Sequence, residues 1–146
     1  MAPQTTLAGA VDKHTRQDPF DLPKRVREAY AAKRLGRWAD AGLGQVPIGI
    51  LADCDTTGGN SGSPVIDGEG RLVGVNFDRV WENVASDCGH DPGVARNVSV
   101  DVRYLLWLLE EVEEAPGLVA ELGSPPGARD SRRAVPLEPA LSGGAP

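Results

Sequence analysis

Thr57-Gly-Gly-Asn-Ser-Gly-Ser-Pro64 is the stretch that decides how this chain folds. It lies between two apolar runs, Val46–Ala52 (VPIGILA) and Arg71–Phe77 (RLVGVNF). Both runs are short and rich in β-branched residues, which predicts strands, and Pro47 points to a sheet edge for the first. Ser63–Ile66 precedes the turn Asp67-Gly-Glu-Gly70, so it pairs with the second run as a hairpin. Ser61 therefore sits in a loop between strands, with small residues on both sides. A nucleophilic serine needs an open hydroxyl and backbone N–H groups aimed at the oxyanion that develops on attack. Gly59 and Gly62 allow positive φ and leave those N–H groups uncovered, so the amides of Gly59 and Ser61 are candidate oxyanion donors. The alternative is an ordinary Gly/Ser turn. A phosphate-cradling loop is a poor rival, because no Gly-Lys-(Ser/Thr) and no helix follow directly.

Outward from this loop, Leu22–Leu35 (LPKRVREAYAAKRL) reads as a helix, with Pro23 in its first turn and Val26, Tyr30 and Ala31 on one face. Gly36 would stop it. Trp81–Arg96 reads as a polar loop that carries Asp87, Cys88, His90 and Asp91. Asn97–Val100 is a further strand candidate. Asp101 then caps a helix over Val102–Glu114, with Leu105, Leu106, Leu109 and Val112 at helical spacing, and Pro116-Gly117 ends it. The expectation is an α+β fold with too few strands to close a barrel, which usually needs about six or more. Trp107 belongs in the core, and Glu110–Glu114 reads as a solvated face. Residues 123–146 hold sixteen Gly, Pro, Ala or Ser among 24 and only three large aliphatics, so this stretch reads as a disordered tail after a single domain over 1–122.

Composition excludes several classes. The chain has 146 residues and a net charge of −6, which disfavours non-specific nucleic-acid binding. No apolar run approaches the ~20 residues that span a bilayer. Two cysteines are too few for a disulfide scaffold or a four-thiolate zinc site. The spacing of Cys54, Cys88, His90 and Asp91 is too irregular for a metal, so neither metal nor cofactor is expected. Met1–Ala10 lacks a basic region followed by an apolar run; no signal peptide is read, and the chain as written has no route out of the cytoplasm.

The loop resembles the Gly-(Asp/Asn)-Ser-Gly-(Gly/Ser)-Pro signature of chymotrypsin-like serine peptidases, with Ser63 replacing the second Gly of the shorter Gly-x-Ser-x-Gly form. Three longer stretches narrow this: TTGGNSGSPV (56–65), GRLVGVNFDRVWE (70–82) and ARNVSVDVRYLLWLLEE (95–111). With TTLAG at 5–9 and Asp18-Pro-Phe20, they resemble the C-terminal end of the bacterial dipeptidyl-peptidase 7/11 family over some 118 residues, Thr5 to Leu122. The resemblance implies a chymotrypsin-type double β-barrel with an inserted helical domain. Of it, this chain would hold part of the second barrel and the terminal helix. It implies Ser61 as nucleophile and the Gly59 amide in the oxyanion hole. It implies Arg79 as the residue that separates the branches, arginine going with cleavage after Asp or Glu, and Asp78 as part of the grip on the substrate's free amino group. A guanidinium suits that role because it pairs a carboxylate through two parallel hydrogen bonds. The competing reading of Arg79 is a surface arginine paired with Asp78 or Glu82.

A nucleophilic serine also needs a base and an orienting carboxylate. The family carries both in its first barrel. Neither His14 nor His90 fits the His…Asp…Ser order, and each reads as a solvated or structural histidine. The chain is thus expected to be the C-terminal piece of a longer enzyme. Its partners would be peptides with a free N-terminus and the missing first barrel, with a homodimer for the full-length family. The alternative is a non-catalytic, peptide-binding remnant. The family's setting is periplasmic, where Cys54 and Cys88 either pair as one disulfide or stay free.

Overall fold

The computed structural model describes residues 3–123. The segment 124–146, which holds nearly all of the expected tail, lies outside the described residues. The elements are β1 (Gln4–Thr6), α1 (Leu7–Asp12), α2 (Lys24–Ala31), β2 (Pro47–Ala52), β3 (Pro64–Ile66), β4 (Leu72–Arg79), β5 (Asn97–Asp101), α3 (Val102–Trp107) and α4 (Pro116–Glu121). The strands form one antiparallel sheet in the order β1-β2-β5-β4-β3, so the architecture is α+β as the sequence indicates.

The hairpin lies where the turn residues put it. Val65 pairs with Gly74 and Pro64 with Val75, and the Asp67 carboxylate accepts the N–H groups of Glu69 and Arg71 across the turn. Those amides and the Arg71 guanidinium hold the Asp67 carboxyl below its usual range. β2 departs from expectation. It is not an edge strand but lies between β1 and β5. Pro47 is tolerated because it is the first residue of β2 and sits opposite Thr6 where the register with β1 shifts, so no ladder bond needs its missing N–H.

The first long helix is shorter than its pattern. α2 ends at Ala31, because Lys33 takes a left-handed φ of 56°. Its buried positions are Val26 and Ala29, whereas Ala31 is exposed. Gly36 does not stop this helix. It opens a 3-10 turn, Gly36–Trp38, where a side chain would collide with the Glu111 carboxylate. Asp101 caps α3 through the Arg103 N–H at 2.9 Å, as expected. The helix then widens into a π turn over Leu108–Val112, closed by Glu113 N–H to Leu108 C=O at 2.8 Å. Pro116 does not end a helix but starts α4, the first-turn position that suits a residue without an N–H.

The core sits at the helical end, where Leu7, Val26, Trp38, Leu106, Trp107 and Val119 meet. Trp107 is fully buried, stacks on Tyr104 at 5.8 Å, and donates its indole N–H to the Arg34 carbonyl at 2.7 Å. Burying side chains of this kind contributes roughly 1.5–3 kcal/mol each. In the acidic run Glu113 and Glu114 are exposed, as expected, whereas Glu110 is mostly covered. Glu110 accepts from Arg37 at 3.1 Å and from the Trp38 indole at 2.5 Å, and Glu113 pairs with Arg25 at 2.6 Å. Arg103 ties the helical layer to the sheet by bridging Asp101 and Asp40, each at 2.7 Å.

Candidate active site

The Ser61 loop is built by short-range bonds that its own residues supply. The Thr57 N–H donates to Asn60 Oδ1 at 2.7 Å, and the Asn60 N–H returns to the Thr57 carbonyl at 3.3 Å. Gly59 and Gly62 take φ of 95° and 88°, values that an L side chain resists. The loop is then tied to β4, with Gly62 N–H donating to Asn76 C=O at 2.8 Å and Asn76 N–H to Ser63 C=O at 2.9 Å. Ser61 is exposed, and its hydroxyl donates to the Phe77 carbonyl at 3.3 Å. Among the described residues, the N–H groups of Gly59 and Ser61 donate to no protein acceptor, whereas those of Asn60 and Gly62 do.

Phe77 owes its position to a bulge. Asn76 pairs with Ser99 and Asp78 with Val98, so Phe77 is the extra residue between them. The pleat is broken there, and Phe77 and Asp78 are both exposed while Asn76 is buried. Asp78 Oδ1 accepts the Arg79 N–H at 2.8 Å. The half-buried Arg79 side chain bonds the entry to the loop and the turn after β4, with Nη1 donating to the carbonyls of Thr56 at 3.1 Å and Asn83 at 3.3 Å. The structure thus gathers Gly59, Ser61, Asp78 and Arg79 on the loop and the adjoining end of β4.

Beneath them lies a polar layer that sequence reasoning missed. Asn76 donates from Nδ2 to the Asn60 carbonyl at 3.2 Å, and Asn97 donates to Asn76 Oδ1 at 3.0 Å and to Ser99 Oγ at 2.9 Å. Asn97 and Ser99 are fully buried. In β5 the buried positions are thus the polar ones, Asn97, Ser99 and Asp101, and the two valines are only half-buried. The signal was present as Asn76 inside an apolar run and as the strict polar alternation of Asn97, Ser99 and Asp101.

Of the two histidines, His14 is held by a hydrogen bond and, among the described residues, His90 Nδ1 is buried without one. His14 Nδ1 accepts the Leu22 N–H at 3.0 Å, and Asp21 is 3.7 Å away. His90 Nδ1 lies 3.6 Å from Asp55. Cys54 is half-buried and Cys88 exposed, both as free thiols. Among the described residues no group of three His, Cys, Asp or Glu side chains is placed to hold a metal, and no helix is long and apolar enough to cross a membrane. Trp81 is 84% exposed, which sets it apart from the buried Trp107. A cleft of ≈ 440 Å³ lies at the opposite edge of the sheet, between β1, α1 and Pro19–Leu22, away from Ser61 and Arg79.

Comparison with known proteins gives this geometry a context. The chain is 46% identical over 119 residues to an Asp/Glu-specific dipeptidyl-peptidase of Capnocytophaga gingivalis, covering 81% of this chain and 17% of that protein. It is 39% identical over 119 residues to dipeptidyl-peptidase 7 of Porphyromonas gingivalis, covering 81% of this chain and 16% of that protein. Its fold superposes on Porphyromonas endodontalis DPP11 in complex with the dipeptide Arg-Asp with a TM-score of 0.77 at 34% identity, covering 83% of this chain and 17% of that one. The chain therefore spans about one sixth of the length of these relatives. The peptidase S46 family matches residues 1–124, and with the loop, the hairpin and the superposition in agreement, the chain belongs to the peptidase S46 family.

Proposed function

We propose that this segment carries the nucleophile and the specificity residue of a serine-type dipeptidyl-peptidase that releases N-terminal dipeptides after Asp or Glu. Ser61 is the nucleophile, the amides of Gly59 and Ser61 hold the oxyanion, Arg79 selects the acidic side chain, and Asp78 helps hold the substrate's amino group. The sheet is part of the second barrel of a chymotrypsin-like fold. One observation carries this reading: the Ser61 loop and the end of β4 are bonded to each other in both directions, the exposed Ser61 hydroxyl to the Phe77 C=O of the β4 bulge and the Arg79 guanidinium of β4 to the Thr56 C=O at the entry to the loop. The free amides of Gly59 and Ser61 supply the electrostatic part, for which loss of one donor costs about 3–4 kcal/mol of barrier in known cases.

We place the base and its carboxylate outside this segment: His14 Nδ1 accepts the Leu22 N–H, and His90 Nδ1 stands 3.6 Å from Asp55 without a hydrogen bond among the described residues. Among the described residues the Ser61 hydroxyl bonds the Phe77 carbonyl and no histidine, which favours a second reading for the isolated chain: a peptide-binding piece without turnover. By family resemblance the whole enzyme is a periplasmic homodimer. Recovery in the cytosolic fraction, or a monomeric mass by light scattering, would remove that part.

The test is an assay of the purified chain with fluorogenic dipeptidyl substrates ending in Asp or Glu. No dipeptide release is expected from the chain alone. Release that disappears in Ser61→Ala would overturn the view that the base lies elsewhere. When the chain is joined to the histidine- and aspartate-bearing part of the peptidase, release is expected and Ser61→Ala abolishes it.

A further inference from the structure

The Arg79 guanidinium rests on two backbone carbonyls that reach it from opposite directions along the chain. Thr56 belongs to the segment that leads from β2 into the Ser61 loop, and Asn83 to a 3-10 turn after β4, Trp81–Asp87. Neither residue is held in the sheet ladder. A side-chain bond, Asn83 Nδ2 to Thr56 Oγ1 at 3.2 Å, joins the two. Both residues are buried, Asn83 at 0% exposure and Thr56 at 9%, so water does not compete for this bond. The turn that carries Asn83 is closed by its own N–H to Val80 C=O at 3.0 Å.

A guanidinium reads a carboxylate as a planar fork, and a tilt of that plane costs one of the two parallel bonds. The carbonyls of Thr56 and Asn83 both engage Nη1, which fixes the plane of the fork. We propose that Thr56 and Asn83 are positioning residues for acidic-substrate recognition: their buried side-chain bond sets the two carbonyls that aim Arg79, and so sets discrimination between a carboxylate and its neutral amide isostere. The inference rests on the reading of Arg79 as the acid-selecting residue. Thr56 and Asn83 do not touch substrate; they act through Arg79. The same bond ties the specificity residue to the start of the nucleophile loop, since Thr57 is the first residue of that loop's turn.

The experiment is calorimetric titration of the full chain with the dipeptides Arg-Asp and Arg-Asn, read as the ratio of their dissociation constants. Arg-Asp is expected to bind roughly tenfold more tightly, as a charge-assisted pair is about twice as strong as a neutral one. Thr56→Val and Asn83→Leu should bring the ratio to about 2 or below, and Thr56→Ser, which keeps the hydroxyl, should retain it. A merely structural role would weaken both dipeptides together and leave the ratio intact, and that result overturns the proposal while sparing the reading of Arg79. Equal binding of the two dipeptides by the unmodified chain overturns that reading, and the proposal with it. Should Thr56→Val fail to fold, Asn83→Leu and the Arg79 side-chain NMR signals of the unmodified chain still decide. Nη rotation that is slow in the unmodified chain and faster in Asn83→Leu supports the proposal, and rotation that is the same in both overturns it.

Discussion

The side-chain amide of Asn76 donates to the carbonyl of Asn60 at 3.2 Å, which fastens the residue before Ser61 to the middle of β4. Asn97 in turn fixes which way that amide points, by donating to Asn76 Oδ1 at 3.0 Å. Serine placement thus depends on a buried polar chain rather than on apolar packing.

Asn76→Leu keeps the branched heavy-atom skeleton and removes the chain's central member. It leaves the Asn60 carbonyl and one Asn97 N–H without this partner, at about 1–3 kcal/mol for each buried group left unsatisfied. Urea unfolding should show a loss of about 2–4 kcal/mol, and hydrogen exchange should show faster opening at Gly62, whose N–H is bonded to the Asn76 carbonyl. A stability loss with unchanged Gly62 protection would mean that the side chain does not hold the loop.

Gly74 is the sheet's closest approach. A Cβ there would lie 2.7 Å from the Val100 carbonyl and 3.2 Å from Ile50 Cδ1. The first neighbour is backbone in the β4–β5 ladder and cannot swing aside. Gly74→Ala should therefore destabilise by about 1–3 kcal/mol, measured by thermal or urea unfolding, although alanine is otherwise a mild substitution. By contrast, Gly62→Ala meets open space, and its cost of about 1–2 kcal/mol should be purely conformational, from a φ of 88°.

Asp40 links pH to stability. The Leu43 N–H and then the Arg103 guanidinium hold its carboxyl below the ordinary aspartate value. A lowered folded-state pKa means stability that is present above the unfolded value, near 4, and lost as pH falls below it. The melting temperature should drop on going from about pH 5 to pH 3, and Asp40→Asn should flatten that drop while lowering stability at pH 7. An equally steep acid limb in the variant would show that other carboxylates dominate.

Arg79→Gly tests the pocket directly. In the peptidase completed by its histidine- and aspartate-bearing part, kcat/KM for substrates cleaved after Asp should fall roughly 10- to 100-fold, from loss of a charge-assisted bond pair. Preference should move toward apolar residues. If cleavage after Asp or Glu persists unchanged, Arg79 is not the selecting residue.

The glycines, the turn Asp67–Gly70 and the capping Asp101 declared themselves in one dimension, because each acts through its immediate neighbours. A positive φ at Gly59, a hairpin turn and a helix cap need only a few consecutive residues, and so the loop, the β3–β4 hairpin and the start of α3 were legible. β1, α1 and α4 were not: they are short, and they are held by contacts with residues far along the chain, such as Leu7 N–H on Val46 C=O at 2.9 Å. Pro47 misled because a proline's place in a sheet depends on which partner bonds are present, and this is a fact of register. Glu110 looked solvated because its cation, Arg37, is supplied from more than 70 residues away. The local chemistry of Ser61 was therefore set by consecutive residues. Its supporting layer of Asn76, Asn97 and Ser99, and the anchoring of Arg79 by Thr56 and Asn83, came only from tertiary structure, since a buried hydrogen bond between distant segments exists only once the sheet has brought them together.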